Sequence, residues 1–192
     1  MVKLKEYFRH LSREHPSRVI SKLAVGDVIQ RSSNQFYKID DIGLDEKFGE
    51  ITDDVSAYKK IYNYFKSNKD DVTNLFENTD DNSTIPFSKV VKGKKGVCLE
   101  KAIIGQMNFQ RRKKESFVIS GFLTVNDLCE KHAFNVVLED AGAYLHDISN
   151  PSRNPSTGKK IPYIIPIENI EGNFKKISVP KKLSQNRVYS IF

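Results

Sequence analysis

Hydrophobic positions in the N-terminal part of the chain repeat with a helical period. Two segments follow the i, i+3, i+4, i+7 pattern of an amphipathic helix, and the first of them ends near Pro16. Their apolar positions are Leu4, Tyr7, Phe8 and Leu11 in the first segment, and Tyr58, Ile61, Tyr62 and Phe65 in the second. Residues 69–90 are polar and rich in turn formers, which predicts a short helix followed by a loop.

The pattern changes after Gly96. Residues 98–114 predict a helix of about four turns, and the alternation that follows predicts β-strands. The strands span residues 116–125, 132–139 and 143–149, with short strands to follow in "IPYIIPI", "FKKISV" and "RVYSIF". Pro162 and Pro166 indicate an edge strand, because proline cannot donate to a sheet ladder. The order predicts an α+β fold, with N-terminal helices and one buried helix packed on an antiparallel sheet.

The charge excess is scattered along the chain. The net charge is +7, but the short basic runs, such as residues 92–95 and 111–114, are separated and stand against an acidic stretch at 40–54. A nucleic-acid interface requires a continuous basic face, so we do not expect one. A protein or peptide partner with an acidic surface explains the same excess.

The apolar runs and the cysteines of the sequence indicate in which cellular compartment the protein is expected. No apolar run approaches the roughly 20 residues that a membrane-spanning helix needs, and the start of the chain lacks the pattern of a secretory signal. The two cysteines, Cys98 and Cys129, do not make a disulfide framework. We therefore expect a cytoplasmic protein in a reducing compartment, or one exported without a cleavable signal peptide.

Cys98 is placed where a thiol can be reactive. Gly96 favours a helix that begins just after it, so free amide groups and the positive end of the helix dipole lie near the sulfur and favour the thiolate. Lys94 and Lys95 add positive charge if their side chains turn inward. Small residues at i+4 and i+7 would let this face of the helix approach a sheet closely. A buried, inert thiol remains the alternative from this stretch alone.

A histidine and an aspartate are predicted to share one face of the sheet. His132 begins a strand whose alternate residues are apolar, so the imidazole points toward the core side. If residues 139–142 connect the hairpin, residue 138 lies opposite residue 143, and Asp147 is the diagonal neighbour of His132. A two-residue connection at 139–140 places His132 directly opposite Asp147, and both registers keep the two side chains on one face. His146 falls on the opposite face, and we interpret His10 and His15 as surface residues.

Three blocks of the sequence now resemble a known family. The segments "GVCLEKA" (96–102), "HAFNVV" (132–137) and "YLHDISNPS" (144–152) are similar to the three motifs of the transglutaminase-like superfamily of papain-type cysteine enzymes. The gaps from Cys98 to His132 and from His132 to Asp147 suit a compact member of that family. Phe134 stands where a Trp is usual in the family, and the chain contains no Trp.

The resemblance implies roles for three residues. It assigns Cys98 as nucleophile, His132 as base and Asp147 as the group that orients His132. It implies an acyl-transfer enzyme that acts on an amide bond of a protein or peptide, as a protease, glutamine deamidase or transglutaminase, without a cofactor. It also implies an oxyanion hole made of the cysteine N–H and an upstream donor, for which Ser88, Asn82 and upstream Tyr or Lys residues are candidates.

The implied enzyme divides the chain into two parts. We predict that residues 71–192 form the transglutaminase-like, papain-like catalytic core, in which the cysteine helix packs on the antiparallel sheet. Residues 1–70 are then a helical N-terminal extension or subdomain with a role in substrate recognition.

Two other functions fit parts of the same sequence. Cys129 and His132 form a C-x-x-H pair, and His146 and Asp147 are near enough in the chain to suggest a zinc hydrolase, although a second ligand pair is missing. A non-catalytic protein-binding module that keeps the transglutaminase-like fold is the remaining alternative.

Overall fold

The fold is described from a computed structural model that covers residues 2–65, 69–77 and 84–192. The helices of these ranges are α1 (Val2–Glu14), α2 (Leu44–Phe48), α3 (Asp54–Tyr64), α4 (Lys69–Thr73), α5 (Phe87–Lys92), α6 (Cys98–Arg111) and α7 (Lys181–Ser184). The strands are β1 (Val19–Ile20), β2 (Val28–Ser32), β3 (Gln35–Lys38), β4 (Thr84–Pro86), β5 (Glu115–Val125), β6 (Leu128–Glu139), β7 (Gly142–Arg153), β8 (Lys160–Pro166), β9 (Asn169–Glu171), β10 (Lys176–Ser178) and β11 (Arg187–Ser190).

A curled antiparallel sheet is the centre of the molecule. Its strands follow the order β8-β7-β6-β5-β11-β10-β9, with β1 added against β5, while β2, β3 and β4 form a separate small sheet. The α+β prediction is therefore confirmed. Strand β8 lies at the end of the sheet, as Pro162 and Pro166 predicted, because an edge strand tolerates residues without an amide hydrogen.

The two faces of the large sheet are covered by different elements. Helix α6 packs on one face, where Ile103 and Ile104 join Val118 in a cluster that also includes the small sheet. Helix α1 packs on the other face, where Phe8 meets Phe117 in a second cluster. Neighbouring residues of β5 thus belong to opposite cores, which is the expected result of the two-residue period of a strand.

The N-terminal part of the chain contains strands as well as helices. Helices α1 and α3 are confirmed, but β1, β2 and β3 also lie within 1–70, so the description of this range as helical was incomplete. Ile61 and Phe65 belong to the same hydrophobic cluster as Ile103 of α6. The division of the chain near residue 70 stays a prediction.

Helix α6 lies unusually close to the sheet. A methyl group on Gly105 would come within 2.7 Å of the Asn135 side-chain oxygen and 2.8 Å of Ile148 Cδ1. Asn135 uses its Nδ2 to donate a 3.0 Å hydrogen bond to the backbone oxygen of Ala102. Small residues on this face therefore bring α6 close to β6 and β7, as the sequence predicted.

The β6–β7 hairpin fixes the register of the candidate site. Leu138 lies opposite Ala143 and Glu139 opposite Gly142, so the register is the one expected for a four-residue connection, although only residues 140–141 form the turn. The β6–β7 ladder ends where Asn135 pairs with His146, whereas β5 stays paired with β6 as far as Leu128. Next to His132, β6 therefore has no ladder partner in β7, and the Asp147 side chain contacts the imidazole there.

Candidate active site

Cys98 and His132 line the same cleft. Cys98 is the first residue of α6 and is half-buried, and the cleft that it shares with His132 has a volume of about 440 Å³. The amide groups of the first helical turn lack partners within the helix, so Cys98 lies at the positive end of the helix dipole. The Cys98 thiol is close enough to His132 to contribute to the raised pKa of the imidazole.

His132 and Asp147 form a buried pair. The imidazole Nε2 donates to Asp147 Oδ2 over 2.8 Å, which leaves Nδ1 outside this hydrogen bond. Burial alone would lower the pKa of His132, but the Asp147 carboxylate has the opposite effect and raises that pKa to about 10. The imidazole is therefore held in its charged form beside the thiol.

Asp147 is fixed by three further hydrogen bonds. Tyr189 donates its hydroxyl to Oδ2 over 2.7 Å, and the amides of Ser149 and Asn150 donate to Oδ1 over 3.0 Å and 3.1 Å. Burial opposes a charge on Asp147, yet the His132 charge and these donors keep the pKa of the carboxyl below its ordinary value. The aspartate stays ionised inside the protein and orients the imidazole.

A second buried carboxylate holds the start of α6. Glu100 is fully buried, and its Oε2 accepts a 2.8 Å hydrogen bond from the amide of Val97, the residue before the helix. Its Oε1 accepts a hydrogen bond from the Tyr37 hydroxyl and lies 3.4 Å from Arg31 Nε. These contacts tie the first turn of α6 to β2 and β3, so they set where the Cys98 sulfur lies in the cleft.

Lys101 was missed by the sequence reasoning. It follows Cys98 by one helical turn and is only 9% exposed, with its Nζ 5.1 Å from the centroid of the Tyr62 ring. Burial lowers the pKa of this lysine, and the charges of Tyr62, Cys98 and Asp147 oppose that effect. The i, i+3 spacing from Cys98 was the available signal. Lys94, which was predicted to add positive charge near the sulfur, is instead exposed. Its Nζ lies over the Tyr64 ring.

The upstream oxyanion donor stays a prediction. Ser88 donates its amide to Asp40 Oδ1 and is not among the residues that line the cleft, and Asn82 falls outside the described residues. Gln30, Arg31 and Ser32 of β2 are polar residues that line the Cys98 cleft.

The four residues of the zinc hypothesis do not form one group, although His132 and Asp147 are hydrogen-bonded to each other. Cys129 is exposed, and His146 is buried beside Asp54, with 3.7 Å between His146 Nε2 and Asp54 Oδ2. Within residues 2–65, 69–77 and 84–192, no three metal-ligating side chains form a group. The surface positions of His10 and His15 agree with prediction.

No family model matches the chain, and no curated protein is similar to it. The described part of the chain has no helix that is long and apolar enough to cross a membrane.

Proposed function

We propose that this protein is a cysteine-dependent acyl-transfer enzyme with a transglutaminase-like, papain-like core. The observation that carries the proposal is the Nε2–Oδ2 hydrogen bond of 2.8 Å between His132 and Asp147, in a site where His132 lines the same cleft as Cys98. A nucleophile, a base and a group that orients the base are the three parts that such chemistry requires. The substrate is an amide bond of a protein or peptide.

The first half-reaction forms a thioester. The Cys98 thiolate attacks the amide carbon, so that a C–S bond forms and the carbonyl oxygen becomes an oxyanion. The backbone N–H groups at the start of α6 stabilise that oxyanion. The C–N bond then breaks, and His132 gives its proton to the departing ammonia or amine.

The second half-reaction returns the enzyme to its starting state. Neutral His132 takes a proton from water or from an amine, which attacks the thioester carbon and displaces the Cys98 thiolate. Water gives a protease if the leaving group is a peptide amine, and a deamidase if it is ammonia. An amine acceptor gives a crosslink, as in a transglutaminase.

A non-catalytic binding module is the second candidate. The fold alone supports it, since one fold can hold several functions. An ionised aspartate and a charged histidine kept beside a thiol favour catalysis, because a binding surface has no need of a buried charged pair that costs desolvation energy.

Alkylation with iodoacetamide at pH 6 tests the site directly. We expect Cys98 to react at least roughly tenfold faster than the exposed Cys129, which serves as a control thiol in the same molecule. Asp147→Asn should slow the reaction of Cys98 and leave that of Cys129 unchanged, because the imidazolium loses its counter-charge. Equal rates for the two thiols at pH 6 would rule out the enzyme.

Intact-mass analysis of candidate partner proteins then separates the possible reactions. A gain of about one mass unit per site after incubation indicates deamidation, whereas cleavage or crosslinking gives much larger changes. Cys98→Ala is the matched control and should give no product while still binding the partner.

A further inference from the structure

An apolar groove lies beside the Cys98 cleft. Its volume is about 680 Å³, and its lining includes Phe122, Phe174, Val188 and Phe192, with Lys176 and Glu171 also present. Phe174 is 73% exposed. An exposed apolar surface with a polar rim is typical of a site that binds another molecule.

The groove continues directly from the cleft. Phe122 lines both, and Arg18 of the cleft places its guanidinium carbon 5.6 Å from the centroid of the Phe192 ring in the groove. On the large sheet, Lys131 of the cleft pairs with Phe122, and Phe122 pairs with Ser190 of the groove. Directly paired residues point to the same face, so cleft and groove form one surface that crosses β6, β5 and β11.

The charges of this surface favour an acidic ligand. Besides His132, which is already paired with Asp147, four cationic side chains line the two cavities, Arg18, Arg31, Lys131 and Lys176. Glu171 is the one acidic side chain in the same described lining, and it lies opposite Lys176 on the neighbouring strand. Arg31 is already paired with the buried Glu100. The other three cations leave a positive excess around an apolar centre.

The spacing of the strands gives the distance from the strand of His132 to the strand that carries Val188 of the groove. Adjacent strands are about 4.8 Å apart, so β11 lies roughly 10 Å from β6, which carries His132. An extended peptide advances about 3.3 Å per residue, so it covers that distance in about three residues.

We propose that the groove is a specificity site for the substrate polypeptide. It takes a large apolar side chain that lies about three residues from the residue attacked by Cys98, and Lys176 favours an acidic residue next to that side chain. This inference rests on the proposed function for the position of the attacked residue. The alternative occupant, a second copy of this chain, is an outcome of the test.

Peptide probes test the inference. Each probe is an extended, fluorescently labelled peptide with a chloroacetamide on the side chain of its central residue, and with Phe or Gly at the third position away from it on either side. The residue next to that position is Asp or Lys. The rate of Cys98 alkylation is followed by mass spectrometry of the digested protein, which separates Cys98 from the exposed Cys129 of the groove. The binding of matching probes without the electrophile is measured on Cys98→Ala by fluorescence polarisation.

The expected result is a preference that depends on the groove. Phe should improve both readouts by roughly tenfold over Gly on one side of the central residue, because its ring is buried in the groove. Phe174→Ser should remove that preference, whereas Leu183→Ser, at an exposed apolar residue of α7 outside the groove, should keep it. Lys176→Glu should change the preference from Asp to Lys.

Two results would overturn the inference. One is equal binding of the Phe and Gly probes to Cys98→Ala, which does not depend on reactivity. The other is a dimer in sedimentation velocity that Phe174→Ser dissociates, since the groove would then bind a second copy. Slow iodoacetamide labelling of Cys98 instead contradicts the proposed function, and the polarisation result still decides whether the groove prefers an apolar side chain.

Discussion

Two buried histidines of the same hairpin differ in charge: His132 is charged at neutral pH and His146 is neutral. His132 faces the ionised Asp147, which raises the pKa of the imidazole to about 10. His146 packs edge-on against Phe109, and burial lowers its pKa to about 4; Asp54 and Glu139 oppose this effect, while Lys114 and Arg112 add to it. The difference arises because the two residues point to opposite faces of the hairpin, and only one face supplies a carboxylate within hydrogen-bond distance.

His146 is expected to make the protein sensitive to mild acid. Its pKa is about 4 in the folded protein against 6.5 for an unperturbed histidine, so between these values the unfolded chain binds a proton that the folded protein does not. The free energy of unfolding should therefore fall as pH falls from 6.5 to 4, by at most about 1.4 kcal/mol per pH unit, with no further loss from this group below pH 4.

Urea unfolding from pH 7 to pH 4.5 measures this dependence. His146→Gln should lower the free energy of unfolding at neutral pH but flatten its decrease toward acid. His10→Gln, at an exposed histidine, is the control and should retain the wild-type slope. An unchanged slope in His146→Gln would show that other groups cause the acid sensitivity.

At the scale of elements, the site depends on how closely α6 approaches the sheet. Asn135 of β6 holds Ala102 by a hydrogen bond, and Glu100 holds the first turn of the helix to the small sheet. Cys98 is carried by the helix and His132 by the sheet. The distance between sulfur and imidazole is therefore set by the packing of α6 on β6 and β7.

Gly105→Ala tests this packing. Alanine in a helix is normally more stable than glycine by about 1 kcal/mol, but here its Cβ would meet Asn135 and Ile148 at 2.7 and 2.8 Å. We expect a net loss of about 1–3 kcal/mol in the free energy of unfolding and slower alkylation of Cys98, because the helix must move outward.

A double-variant cycle with Ile148→Val is the control for Gly105→Ala. Valine lacks the Cδ1 atom that the new methyl group meets, so the double variant should recover part of the loss. Additive effects of the two substitutions would mean that Gly105 acts through something other than this contact.

At the scale of the molecule, the large sheet is stabilised from both faces. The cluster under α1 contains Phe8 together with Phe134 and Tyr189, the two aromatic residues beside His132. The ring centroids of Phe8 and Phe117 are 5.9 Å apart. The N-terminal helix is therefore part of the packing that supports the His132–Asp147 pair.

Phe8→Ala tests whether the N-terminal residues fold with the site. Phe8 is fully buried, so its truncation should cost about 3–5 kcal/mol and should shift a single unfolding transition seen by circular dichroism and by Cys98 alkylation alike. Lys3→Ala, at an exposed position of the same helix, should have little effect. Two separate transitions would support the predicted subdomain at residues 1–70.

The sequence alone determined the elements with a strong local period. The pattern of α1, α3 and α6, the long strands β5 to β7, the edge position of β8 and the common face of His132 and Asp147 all follow from spacing between near neighbours in the chain. Strands β2 and β3 were missed. Strand β2 has few buried apolar positions between its exposed ones, so its alternation is weak. Strand β3 becomes evident only from its pairing with β2 in the folded protein.

Only the tertiary structure decided how the site is completed. Tyr189 reaches Asp147 from 42 residues away, Tyr37 reaches Glu100 from 63 residues away, and the groove combines side chains of β5, β11 and the β9–β10 turn. The period of the hydrophobic positions indicates which face of a strand or helix a residue occupies, since that depends on local backbone geometry. The period does not indicate which distant side chain lies opposite that residue, because this depends on the order of strands in the sheet.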